Sequence, residues 1–63
     1  MKPMKFKAYL KAIKKAGFVE VKGGGKGGHE KYAKGNVTLI VPSHGKEVPG
    51  YVVKQAIEAG VKF

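Results

Sequence analysis

The sequence contains no cysteine, arginine, aspartate or tryptophan. Without cysteine there is no disulfide framework and no thiolate zinc site, and two histidines with four carboxylates are a poor donor set for a dedicated metal cage. No apolar run approaches the ~20 residues that span a bilayer. The first residues also lack the continuous apolar stretch of a signal peptide, so a cytoplasmic protein is expected. A chain of 63 residues has room for one domain and not for a fold built around a large internal cleft. It buries only ~60% of its unfolded surface, which leaves a thin margin of stability.

Lysine is abundant. Thirteen lysines against four glutamates give a formal net charge of +9. A field of that size favours polyanions such as nucleic acid, an anionic membrane or an acidic protein. Lysine without arginine supplies point charges for phosphates but not the planar forks that read guanine edges, so backbone recognition is favoured over sequence readout.

From Phe6 onward, Phe6, Tyr9, Leu10, Ile13 and Ala16 follow the spacing of one helix face, with Lys7, Lys11, Lys14 and Lys15 on the other. Pro3 suits a first turn, the late lysines suit the negative end of the helix dipole, and Gly17 suits a left-handed cap. A helix is expected from about Pro3 to Ala16, followed by a short strand through Phe18, Val19, Glu20 and Val21. Lys22 to Gly28 is a glycine-rich loop that cannot pack a core. The stretch from His29 to Ala33 alternates, Val37 to Val41 is the strongest strand signal, and Gly35-Asn36 between them reads as a two-residue hairpin turn. That register sets Tyr32 opposite Leu39 and Glu30 opposite Val41. Tyr32, Val37, Leu39 and Val41 then face the core, while His29, Lys31 and Ala33 share the outer face with Thr38 and Ile40. A second helix carries Val52, Val53, Ala56 and Ile57 as its apolar stripe and ends near Gly60. The fold class is α+β, in the order helix-strand-strand-strand-helix, with both helices on one face of a three-stranded antiparallel sheet.

The register places His29 opposite Pro42, two residues from His44, and so brings both histidines to one end of the sheet. An imidazole titrates near neutral pH and can take a proton from a ribose 2′-hydroxyl, which then attacks the adjacent phosphate without a metal. A lysine such as Lys26 or Lys31 would stabilise charge on the phosphorane, and a second donor would protonate the leaving oxygen. RNA cleavage is within reach of so small a chain because the substrate brings its own nucleophile. On the residues alone His29 is a candidate catalytic residue, and Lys22, Lys26, Gly28, Lys31 and His44 are candidate RNA contacts. The same histidine could instead be an ordinary surface residue. The glycine loop lacks the Gly-Lys-Ser/Thr ending of a P-loop and opens no helix, so it reads as a lip over the site. Tyr9, Tyr32 and Phe18 read as core, whereas Tyr51 fits either core or a base-stacking platform.

The run from Leu10 to Phe18, Gly28-His29-Glu30-Lys31-Tyr32, Val41-Pro42-Ser43-His44 and the run from Lys54 to Gly60, in this order, resemble the HicA (YcfA-like) toxins of bacterial type II toxin–antitoxin pairs. The resemblance implies a single toxin domain over residues 1–63 with a double-stranded-RNA-binding-domain-like fold. It also implies metal-independent cleavage of mRNA that arrests translation, with no cofactor, and a HicB-like antitoxin as partner. The catalytic histidine of the family's Gly-Ser-His motif falls at His29. Gly28 stands in place of the usual Ser, the glycine loop is longer than usual, and Tyr51 stands where a Thr commonly follows the glycine that leads the second helix. The alternative is a non-catalytic module of the double-stranded-RNA-binding type. Such modules grip phosphates with a basic cluster at the start of the second helix, where this chain has only Lys54.

Overall fold

The computed structural model describes residues 2–23, 27–43 and 45–63. Its elements are β1 (Met4–Lys5), α1 (Phe6–Lys15), β2 (Val19–Glu20), β3 (His29–Lys34), β4 (Val37–Pro42), β5 (Glu47–Val48) and α2 (Gly50–Glu58). Strands β2, β3 and β4 form a three-stranded antiparallel sheet in that order, and β1 pairs with β5 in a separate two-stranded ribbon.

The hairpin register is the expected one. Tyr32 pairs with Leu39, Glu30 with Val41 and His29 with Pro42. The turn rests on Gly35, whose φ of 59° is left-handed, while Asn36 keeps a negative φ. Glycine at the first central position is the type II′ pattern, whose twist matches that of the flanking strands.

One cluster forms the core. Tyr9 and Ile13 of α1, Tyr32, Leu39 and Val41 of the sheet, and Val52, Val53 and Ala56 of α2 are all buried in it, together with Phe18, Val48 and Val61. Both helices therefore cover the same sheet face. The Tyr9 hydroxyl donates to the carbonyl of Val52 at 3.4 Å, and its ring stacks on Phe63 at 5.7 Å. Burial pushes the Tyr9 hydroxyl up to about 12.

Both helices end alike. In α1, Gly17 N–H bonds the Lys14 carbonyl and Phe18 N–H bonds the Ile13 carbonyl; in α2, Gly60 and Val61 do the same to Ile57 and Ala56. This is the Schellman arrangement, in which a left-handed glycine lets the next apolar residue fold back onto the helix. Phe18 and Val61 are accordingly buried.

Three expectations change. The first helix starts at Phe6 rather than Pro3, because Met4 and Lys5 are extended and pair with Val48 and Glu47. No side chain caps α1; Phe6 N–H instead donates to the Lys46 carbonyl at 2.9 Å, which satisfies one of the four unpartnered donors at a helix start. Val37 lies beside the hairpin turn, beyond the cover of the helices, and is 41% exposed. Ile57 is exposed to the same degree because α2 buries Val52, Val53 and Ala56 instead.

Ile13→Ala should lower unfolding stability by about 3 kcal/mol, the usual scale for truncating a fully buried isoleucine. Ile57→Ala should cost less than about 1 kcal/mol. Urea denaturation at 25 °C followed by circular dichroism checks both values, and equal losses would contradict the assigned core.

Candidate active site

The hairpin has a closed end at Gly35-Asn36 and an open end at the His29–Pro42 pair. At the closed end, Lys34 Nζ donates to the Ala16 carbonyl at 2.6 Å and holds the C-terminus of α1 there. The start of α1 is held by the Lys46 carbonyl, four residues past Pro42 on the segment that leaves the open end and leads into β5, where β1 pairs.

His29 is exposed and points to the sheet face that the helices leave bare. Ser43 N–H donates to the Gly28 carbonyl, which ties the residue before His29 to the segment leaving β4. Lys31 is half-buried on the same outer face, two residues along, and pairs with Ile40. Val21 N–H bonds the Lys31 carbonyl at 2.8 Å, so the segment after β2 runs beside Lys31 and leads to the exposed Lys22. The structure thus gathers His29 and Lys31 on one face with Lys22 at its border. Lys26 and His44 lie outside the described residues.

Glu30 follows His29 in sequence but faces the core side. Its carboxylate accepts the Tyr32 hydroxyl at 2.9 Å. It therefore lies on the face of the strand opposite to that of the imidazole. The Tyr32 hydroxyl is held above the ordinary range, first by burial and then by the hydrogen bond to Glu30 and the negative charges of Glu30 and Glu20. Tyr32 also carries Lys14 Nζ 6.0 Å from its ring centroid. Both contacts support its place in the core and not a base-stacking role.

Sequence reasoning missed an open groove of about 820 Å³ lined by Lys5, Phe6, Lys7, Gly45, Lys46 and Glu47. Lys7 reads locally as one of many solvated helix residues and Lys46 as part of a connection. Only the pairing of β1 with β5 brings them together.

Among the described residues no helix is long and apolar enough to cross a membrane, and no group of three metal-ligating side chains comes together. The family model described as HicA toxin of bacterial toxin-antitoxin matches residues 6–61, and the chain belongs to that toxin family. The α+β architecture of two helices on a three-stranded antiparallel sheet fits it. Family membership implies an antitoxin partner. No curated protein and no solved structure matches the chain.

A native state that keeps a proton which the unfolded chain releases loses stability as pH rises. Tyr9 and Tyr32 both hold their protons beyond the ordinary value of 10.0. Their contribution should be intact below pH 10 and decline from there toward about 12, where Tyr9 ionises in the fold. Urea midpoints measured from pH 8 to 11.5 should fall more steeply for the wild type than for Tyr9→Phe or Tyr32→Phe, whose own profiles should be flatter.

Proposed function

We propose that the protein is a metal-independent endoribonuclease, the toxin of a type II pair, that cleaves mRNA through His29 and so arrests translation. One toxin domain covers residues 1–63, and a HicB-like antitoxin restrains it. What supports this reading is an exposed imidazole at the open end of the hairpin, which the resemblance of the Gly28-His29 segment to the family's motif matches to its catalytic histidine, in a chain of net charge +9. His29 removes the proton from a ribose 2′-hydroxyl. The oxygen attacks the neighbouring phosphorus, the bond to the 5′-oxygen breaks, and a donor at the site protonates that oxygen. The products carry a 2′,3′-cyclic phosphate and a 5′-hydroxyl. Lys31, on the same face, stabilises the negative charge that builds on the phosphorane oxygens. Lys22, Lys26, Gly28 and His44 complete the proposed RNA contacts.

A purely binding role finds no support in α2. Its single lysine, Lys54, faces solvent without a basic neighbour within the helix. Double-stranded-RNA modules depend on phosphate contacts spread across two grooves.

Single-stranded RNA incubated with the protein in EDTA should be cut and should yield 2′,3′-cyclic phosphate ends. His29→Ala should lower the rate by at least about 100-fold, the scale of general acid–base catalysis. Its thermal midpoint should stay within a few degrees of wild type, because the side chain is exposed. Lys31→Gln should retain cleavage at a reduced rate. Cleavage by His29→Ala at the wild-type rate would sink the assignment.

A further inference from the structure

We propose that the groove at the start of α1 is a nucleotide subsite, seating the stretch of single-stranded RNA next to the one held at His29. Phe6 is its stacking surface, and Lys5, Lys7 and Lys46 are its phosphate contacts. The location of the subsite on a substrate track rests on the ribonuclease reading of His29, whereas the binding it claims does not.

Position is the first argument. Phe6 N–H to the Lys46 carbonyl fixes the start of α1 against the segment leading to β5, at the end of the molecule where β3 begins and β4 stops. Ser43, two residues before Gly45, is bonded to Gly28, the residue preceding His29. Two residues of chain span at most ~7 Å. One rim of the groove therefore starts within that reach of Ser43, whose N–H is bonded to the residue before His29.

Chemistry is the second. Three exposed lysines line the groove against one carboxylate, Glu47, which stands opposite Lys5 in the β1–β5 register. The lining keeps a net positive charge, so a cation is excluded and an anion is favoured. α1 has no acidic residue in its first turn, so the helix itself contributes no carboxylate to offset Lys5 and Lys7. Phe6 is only partly buried: it packs against the core and also lines the groove. An apolar ring among phosphate-binding cations suits a ligand that repeats planar bases and phosphates, which is how proteins hold single strands without reading sequence. The volume lies within the ~300–1,000 Å³ usual for ligand sites.

The opposite end of the molecule supplies a control. A smaller groove of about 320 Å³ there is lined by Ala12, Lys15, Ala16, Lys34, Gly60 and Lys62. It also has three lysines, but no aromatic ring, and Lys34 is already bound to the Ala16 carbonyl.

The test is fluorescence anisotropy of a labelled single-stranded RNA 12-mer titrated with the full chain carrying His29→Ala, so that binding is read without cleavage. In that background Lys5→Gln/Lys7→Gln/Lys46→Gln should weaken binding at least tenfold more than Lys11→Gln/Lys15→Gln/Lys62→Gln, which removes the same charge elsewhere. The slope of log affinity against log salt should shrink by about 2 for the first triple, as loss of three single-strand phosphate contacts requires. Phe6→Leu, which keeps apolar bulk for the core, should weaken binding about tenfold with an unchanged salt slope. Thermal melts of all variants check the fold. Equal weakening by the two triples, or unchanged affinity in a folded Phe6→Leu, would overturn the subsite. RNA that binds as stated but is never cut by the wild-type chain would instead refute the role of His29 and leave the subsite standing.

Discussion

The register of the β3–β4 hairpin is the constraint on which the rest of the molecule depends. Side chains alternate along a strand with a period of two, so a slip of one residue would exchange the two faces of the sheet. In the observed register Tyr32, Leu39 and Val41 meet the helices, while His29 and Lys31 are left on the bare face. A slipped β3 would bury an imidazole and an ammonium and expose a tyrosine. Burial of Tyr32 and exposure of His29 are thus one decision. Gly35 fixes it, because its left-handed φ permits a two-residue turn that leaves no slack between the strands.

The parts of the fold that were legible in the sequence are those whose physics is local. Alternation announced β3 and β4, the turn announced their register, and two 3.6-residue periodicities announced the helices. Gly17 and Gly60 marked where those helices stop. The ribbon of β1 and β5 was not legible, because Met4–Lys5 and Glu47–Val48 are two-residue strands far apart in sequence, and no period can be read from two residues. Pro3 and the lysines after it look like the first turn of a helix, and tertiary pairing overrides that preference. Val37 and Ile57 failed for a related reason. Periodicity says which face a residue is on, but not whether the neighbouring element is long enough to cover it.

The candidate site divides along the same line. His29 and Lys31 share a face by simple alternation, so their juxtaposition follows from the strand pattern alone. The groove depends on the non-local ribbon and was invisible. Glu30 shows how neighbours in sequence can mislead: adjacent to the histidine, it belongs to the other face and is engaged by the Tyr32 hydroxyl.

Charge and capping connect fold to function at the open end of the hairpin. A helix usually begins with a serine, threonine, asparagine or aspartate cap and an acidic first turn, which stabilise it by about 1 kcal/mol each. α1 has neither; a backbone carbonyl from Lys46 serves as its cap, and lysines flank it. With a main-chain acceptor as cap and no acidic residue in its first turn, α1 adds no carboxylate to a groove whose one acidic lining residue is Glu47. The arrangement gives up local helix stability and keeps positive potential beside His29. For a chain that can bury only a small core, such a concession is large relative to its total stability. A polyanion bound at that end, or an acidic partner covering it, would relieve the lysine repulsion and stabilise the fold by mass action. On this reading the free toxin is the least stable of its states, and association with RNA or antitoxin supplies the charge complement that its own sequence withholds.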